Sequence, residues 1–151
     1  MKVGVSWLGI IIFALPMLIN IIYAIFPPVN ATAEPAQVNR IIEAVEQATR
    51  ILYMLAICFL VSRKEINYRS FWVYAGIVFL VLYYIVWIRY FAGGRDVALL
   101  SKSFVMIPMP LAVFPVLYFL CAAVWLHNIP AVILMILFGI AHNIVSYSAL
   151  G

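Results

Sequence analysis

Long apolar stretches alternate with short polar segments along the chain. The hydrocarbon core of a bilayer is about 30 Å thick, and a helix needs about 20 apolar residues to cross it. The pattern predicts an all-α integral membrane protein built as a bundle of five transmembrane helices, with four crossings as the alternative. The predicted spans cover about residues 3–26, 40–62, 70–91, 108–126 and 131–148.

Prolines lie at informative positions in these spans. Pro16 falls inside the first span and Pro115 inside the fourth, and each removes a donor from the helical hydrogen-bond ladder. Kinks are therefore predicted in the first and fourth helices. Pro27-Pro28 ends the first span, and Pro130 suits the first turn of the fifth.

The first apolar stretch has two interpretations. It follows a charged Lys2, as in a signal peptide, but it is longer than the usual ~7 to 15 apolar residues of such a segment. An uncleaved first span is favoured. Cleavage after the small-residue pattern at Thr32-Ala33 is the alternative.

Composition supports a membrane protein with no separate soluble part. Of 151 residues, 68% are apolar and 9% are charged, whereas soluble domains are about half apolar and about a quarter charged. No segment between the spans is long enough to bury a core of its own. The chain is therefore predicted to be a single polytopic membrane domain over residues 1–151.

Charge points to a lipid surface as the partner. Nine Lys and Arg against five Asp and Glu give a net charge of +4, spread over several loops. That spread fits topology signals and anionic headgroups, and it argues against nucleic acid, which would need clustering on one face. The compact basic turn Arg63 to Arg69 favours a cytoplasmic N-terminus in a plasma (inner) membrane.

The sequence contains no motif for a cofactor. Cys58 and Cys121 both lie in apolar runs, and no CxxC or Cys/His spacing suggests a metal. There is also no HExxH, no glycine-rich phosphate loop and no pair of axial histidines for haem. We expect neither a metal nor a cofactor.

The second helix carries unusual charges. Only twelve uncharged residues separate Arg50 from Arg63, so the crossing must include residues before Arg50. Glu43, Glu46 and Arg50 then lie within an arc of about 60° on one helix face. An unshielded charge near mid-membrane costs about 2.5 to 3.5 kcal/mol. This face is therefore predicted to look into the bundle, with Glu46 and Arg50 paired at i and i+4.

Alternating crossings would gather the polar groups on one side. The ends of spans one, three and five share a membrane face with the starts of spans two and four, which predicts a one-sided polar cavity. A purely architectural role is the alternative for each group, since such residues also anchor helices and hydrogen-bond between them. The candidate ligand-binding residues are Glu43, Glu46, Gln47, Arg50, Tyr83, Trp87, Arg89, His142, Asn143 and Ser146.

Three functions fit this pattern. The first is a non-enzymatic multi-pass protein that binds a small or amphiphilic molecule as a carrier, transporter component or sensor. The second is a membrane-embedded enzyme acting on a lipid-like substrate. In that case His142 is the catalytic candidate, acting with a glutamate, because its unperturbed pKa is near neutrality. The third is a structural subunit that contacts a second copy or another membrane protein.

Overall fold

Helices account for most of the chain. The structure is a computed structural model that describes residues 2–29, 39–100, 102 and 110–150. The predicted all-α class is confirmed. The helices are α1 (Trp7–Ile25), α2 (Arg40–Phe59), α3 (Phe71–Ala92), α4 (Pro110–Trp125) and α5 (Ile129–Leu150).

Three helices within the described ranges are long and apolar enough to cross a membrane. They are α1, α3 and α5, of which α1 has the highest mean hydropathy, 2.5. The other two helices differ in kind. α2 has 20 residues but a charged face, and α4 has 16 residues. Helix length and composition therefore support membrane insertion through α1, α3 and α5.

The outer surface of these three helices is apolar. Soluble monomers rarely expose apolar patches of this extent, so this surface suits contact with lipid chains. Exposed large apolar side chains include Ile11, Leu15, Leu18 and Ile21 on α1, Ile77, Val81, Ile85 and Ile88 on α3, and Ile133, Ile136, Ile140 and Ile144 on α5.

The first two helices are shorter than the sequence predicted. The first begins at Trp7 rather than at residue 3, and the second ends at Phe59 rather than at residue 62. Lys2–Val3 (β1) instead pairs antiparallel with Leu60–Val61 (β2). A helix end leaves backbone N–H and C=O groups without helical partners. The pairing of β1 with β2 gives backbone groups partners where α1 begins and α2 ends, so these residues form strands instead of extending the helices.

Asn128 fixes the start of α5 against the end of α2. Its side-chain oxygen accepts from the backbone N–H of Ala131 at 3.1 Å, which caps α5. Its amide donates to the carbonyls of Ala56 at 2.9 Å and Leu60 at 3.4 Å. Asn128 is 1% exposed, so one buried side chain serves two helix ends. The contact also makes α2 and α5 antiparallel.

α1 and α3 lie side by side and run in the same direction. Near the middle of both helices, the Tyr84 hydroxyl donates to the carbonyl of Leu15. Near their ends, the Tyr90 hydroxyl donates to the carbonyl of Phe26 at 3.5 Å. α3 packs on α4, where Gly76 lies close to Cys121. The five helices thus alternate in direction, and the ends of α1, α3 and α5 lie with the starts of α2 and α4.

Both helices with an internal proline continue through it. Pro16 supplies no N–H, so the carbonyl of Ile12, four residues earlier, loses its helical donor. The hydroxyl of Tyr118 on α4 donates to this carbonyl at 2.7 Å. The proline therefore creates a link between α1 and α4, and the predicted kinks stay a prediction.

Two sequence predictions fall on parts of the chain outside the described residues. One is the start of the fourth span at Pro108, and the other is the cleavage site at Thr32-Ala33. The remaining predicted boundaries lie within about two residues of the observed ones, which is the usual scatter of helix ends.

Candidate functional site

A cavity of about 370 Å³ lies between the five helices. Its wall takes residues from the middle and later parts of α1 and α3, from the middle of α2 and α5, and from the first two thirds of α4. This volume is in the range of small-molecule sites. The lining residues are Phe13, Met17, Asn20, Tyr23, Arg50, Tyr53, Tyr83, Trp87, Leu111, Pro115, Phe119, Met135, Phe138 and His142.

Polarity changes along the cavity. Towards the middle of the bundle the wall is apolar, formed by Phe13, Phe119 and Met135. Arg50 and His142 lie towards the other end of the cavity. His142 follows Met135 by seven residues on α5, so the two lie about 10 Å apart along the helix axis. The shape and polarity therefore suit a molecule with an apolar body and a polar group at one end.

A buried carboxylate organises the polar end. Glu46 is 4% exposed, and its Oε1 accepts from Arg50 Nη2 at 2.6 Å and lies 3.2 Å from His142 Nδ1. The predicted Glu46–Arg50 pair is confirmed. Arg50 reaches outward, with 45% of its side chain exposed, as long cationic side chains do at interfaces. The pair thus connects the cavity wall to the surface of the bundle.

Phe138 contacts both side chains that lie beside this carboxylate. The guanidinium carbon of Arg50 lies 5.4 Å from its ring centroid, which is a cation–π distance. The His142 ring stacks on it at 4.9 Å with an interplanar angle of 13°. Arg50 and His142 are therefore held in place by an aromatic ring as well as by Glu46.

A second polar group lies on the α1–α3 wall, which we define as Asn20, Tyr83 and Trp87. The Tyr83 hydroxyl donates to Asn20 Oδ1 at 2.7 Å. The Asn20 amide donates to the Met17 thioether at 3.9 Å. Trp87 is 5% exposed, and its indole N–H has no hydrogen-bond partner within the part of the chain that the structure describes.

Four of the ten predicted site residues line the cavity, namely Arg50, Tyr83, Trp87 and His142. Glu46 lies directly behind two of them.

Two candidates on α2 do not line the cavity. Glu43 is exposed in the first turn of the helix, and Gln47 is exposed and accepts from Arg50 Nη1 at 3.3 Å. The predicted inward face is therefore smaller than expected. Gln47 follows Glu46 by one residue and so points about 100° away from it around the helix.

The other three candidates face elsewhere. Arg89 turns to the segment after α3, where its Nη2 donates to the carbonyl of Lys102 at 2.7 Å. The Asn143 amide donates to the carbonyl of Gly139 in its own helix at 2.7 Å. Ser146 is half-buried and lies outside the cavity wall. These three side chains contact backbone or lie on neighbouring surfaces.

Several wall residues are not among the ten candidates. Tyr53 lies on the same stripe of α2 as Glu46 and Arg50, and its hydroxyl donates to the carbonyl of Phe119 at 2.8 Å. Asn20 lies one turn after Pro16, a polar residue in an apolar span. The sequence therefore marks Tyr53 and Asn20 as candidates for the cavity wall, whereas nothing in it distinguishes Leu111 and Phe119 from other apolar residues.

Among the described residues no three His, Cys, Asp or Glu side chains come together in a way that could hold a metal ion. No family model, curated protein or solved structure matches the chain. The cavity and its two polar groups are thus the basis for a functional assignment.

Proposed function

We propose that this chain is a five-pass membrane protein that binds a small apolar or amphiphilic molecule in the cavity between its helices. Such a protein acts as a carrier, a transporter component or a sensor. The observation that supports this most is the cavity itself, about 370 Å³ of mainly aromatic and methionine wall with polar side chains at one end.

The packing of α2 and α4 supports five crossings. α2 has 20 residues, enough for about 30 Å, and it packs antiparallel to α5, which is apolar enough to cross. Its buried charge is compensated by the Glu46–Arg50 pair. α4 lies between α3 and α5, with its middle residues buried. We place the protein in the plasma (inner) membrane, with the turn Arg63 to Arg69 and the N-terminus cytoplasmic.

Copurification tests the proposal. Protein extracted in mild detergent is expected to retain a hydrophobic molecule near one per chain, measured by solvent extraction and mass spectrometry. Met135 is 2% exposed at the apolar end of the cavity, so Met135→Trp fills the space and is expected to lose the molecule.

The neighbouring residue provides the control. Ile136 is 48% exposed on the outer face of the same helix, so Ile136→Trp is expected to keep the molecule. Equal retention in both variants, or none in the unmodified protein, would favour a structural subunit instead. Thermal unfolding of both variants verifies that the bundle is intact.

An enzyme is the second candidate, supported by the contact between His142 and Glu46 on the cavity wall. A carboxylate beside an imidazole can orient it as an acid or base. If the retained molecule is a substrate, it is expected to change mass on incubation with the protein. A His142→Gln variant would keep the molecule but leave it unchanged.

A further inference from the structure

Within the described residues, the α1–α3 wall holds one hydrogen-bond donor without an acceptor and a second donor with only a weak one. The indole N–H of Trp87 can only donate, and it is buried without a partner in the ranges the structure describes. The Tyr83 hydroxyl lies beside this indole, but the geometry of the two groups does not form a hydrogen bond. Leaving such a donor unsatisfied costs about 1–3 kcal/mol. An acceptor from outside the protein would remove this cost.

Asn20 adds a second donor to the same wall. Its carbonyl oxygen already accepts the Tyr83 proton at 2.7 Å, so the Asn20 group left for a ligand is the amide NH₂. Among the described residues, that NH₂ donates to the weak thioether acceptor of Met17, at 3.9 Å. Two neutral donors therefore lie on either side of the Tyr83 hydroxyl.

The rest of the cavity indicates what such an acceptor should be attached to. Aromatic rings line much of the wall, and Tyr23 packs against Trp87 with ring centroids 4.8 Å apart. Flat rings pack well against such surfaces. Arg50 carries the full charge among the described lining residues. It is already paired with Glu46 at 2.6 Å, so an anion is not needed to balance it.

We infer that the ligand is a neutral ring compound bearing a carbonyl oxygen, and that this oxygen accepts hydrogen bonds from the Trp87 indole and the Asn20 amide. The inference rests on the proposed function. The inference adds a chemical class for the ligand, an aromatic or alicyclic ketone. It also adds an orientation, in which the ligand carbonyl lies against α1 and α3.

Three small probes of similar size test the class. α-Tetralone has a ketone on a fused ring system, tetralin is the same ring system without oxygen, and naphthoate carries a carboxylate. Binding is measured by equilibrium dialysis against nanodiscs that contain the protein, with protein-free nanodiscs of the same lipid subtracted. We expect α-tetralone to bind about tenfold more tightly than tetralin, the effect of one or two net hydrogen bonds.

Two variants locate the hydrogen bonds. Trp87→Phe removes the N–H and keeps a ring, and it is expected to reduce the preference for the ketone several-fold while tetralin still binds. Asn20→Asp keeps an acceptor for Tyr83 but replaces the donor, with the same expected loss. Trp72→Phe is the control, since Trp72 lies at the other end of α3, is 40% exposed and is not part of the cavity wall.

The outcomes separate the inference from the proposed function. Equal binding of ketone and hydrocarbon, or strongest binding of naphthoate, would overturn the inference and leave the cavity as an apolar or anion site. An unchanged ketone preference in both variants would also overturn it. If no probe binds above protein-free nanodiscs, the proposed function itself fails. Tetralin binding shows that each variant retains the cavity.

Discussion

Glu46 carries the buried charge at the polar end of the cavity. It is 4% exposed and contacts both Arg50 and His142 through Oε1. Arg50 can reach water from its position, and an imidazole such as that of His142 can be neutral. Glu46 cannot reach water without moving α2, so it is the partner for which compensation matters most.

Single and double substitutions of the Glu46–Arg50 pair should therefore differ in their effect on the free energy of unfolding. Arg50→Met leaves Glu46 with only His142, and we expect it to lower the free energy of unfolding by about 2 kcal/mol, less than for a fully buried pair because Arg50 is half-exposed. Glu46→Leu should cost less, since Arg50 can turn to water. The double variant should recover most of the loss. Thermal unfolding in detergent measures all three.

For single residues, the sequence could predict a contact within one helix but not a contact between helices. Spacing and the short apolar run after Arg50 were enough for the Glu46–Arg50 pair. The contact of His142 with Glu46 joins residues 96 positions apart. Such contacts depend on the rotation of each helix about its axis, which the sequence does not specify. Arg89 and Ser146 are also polar residues in apolar spans, but their side chains do not line the cavity.

The close crossing of α1 and α2 depends on a single glycine. A Cβ built on Gly9 would lie 1.8 Å from the backbone carbonyl oxygen of Ile57. Backbone cannot move aside as a flexible side chain can, so the two helices can approach this closely only at a residue without a Cβ. The crossing lies beside the β1–β2 pairing and near the apolar core around Ile57.

Gly9→Ala is expected to destabilise the bundle by separating α1 from α2. The matched control is Gly76→Ala in α3, where the added Cβ would lie 3.7 Å from the Cβ of Cys121, an ordinary contact. That substitution should be neutral or stabilise by up to about 1 kcal/mol through helix propensity. Thermal unfolding compares the two. Similar effects of both substitutions would contradict the close crossing.

Apolar runs predicted the elements well because a membrane helix is defined by its own length and composition. All five helices begin and end close to the predicted residues except at one place, the start of α1 and the end of α2. There, β1 and β2 form through backbone hydrogen bonds between segments nearly sixty residues apart. Such pairing leaves no periodic signal in two strands of two residues each.

At the scale of the whole molecule, the alternating helix directions separate the polar groups of the cavity from the basic turn Arg63 to Arg69. Lys2 and the turn Arg63 to Arg69 lie at the end of the bundle marked by β1 and β2, and the Glu46–Arg50 pair lies towards the opposite end. The sequence could predict this division from the order of the spans alone. It could not predict the cavity volume, which depends on how five helices pack against one another.

If all five helices cross the membrane, the two ends of the chain lie on opposite sides. Single cysteines at Lys2→Cys and Ser148→Cys, in a background with Cys58→Ala and Cys121→Ala, should then react with a membrane-impermeant maleimide from opposite sides of sealed vesicles. Lys64→Cys should react from the same side as Lys2→Cys, because β1 pairs with β2 three residues before it. Glu43→Cys, exposed at the start of α2, should react from the side of Ser148→Cys. Reaction of both termini from one side would mean four crossings, and it would place either α2 or α4 at the membrane surface.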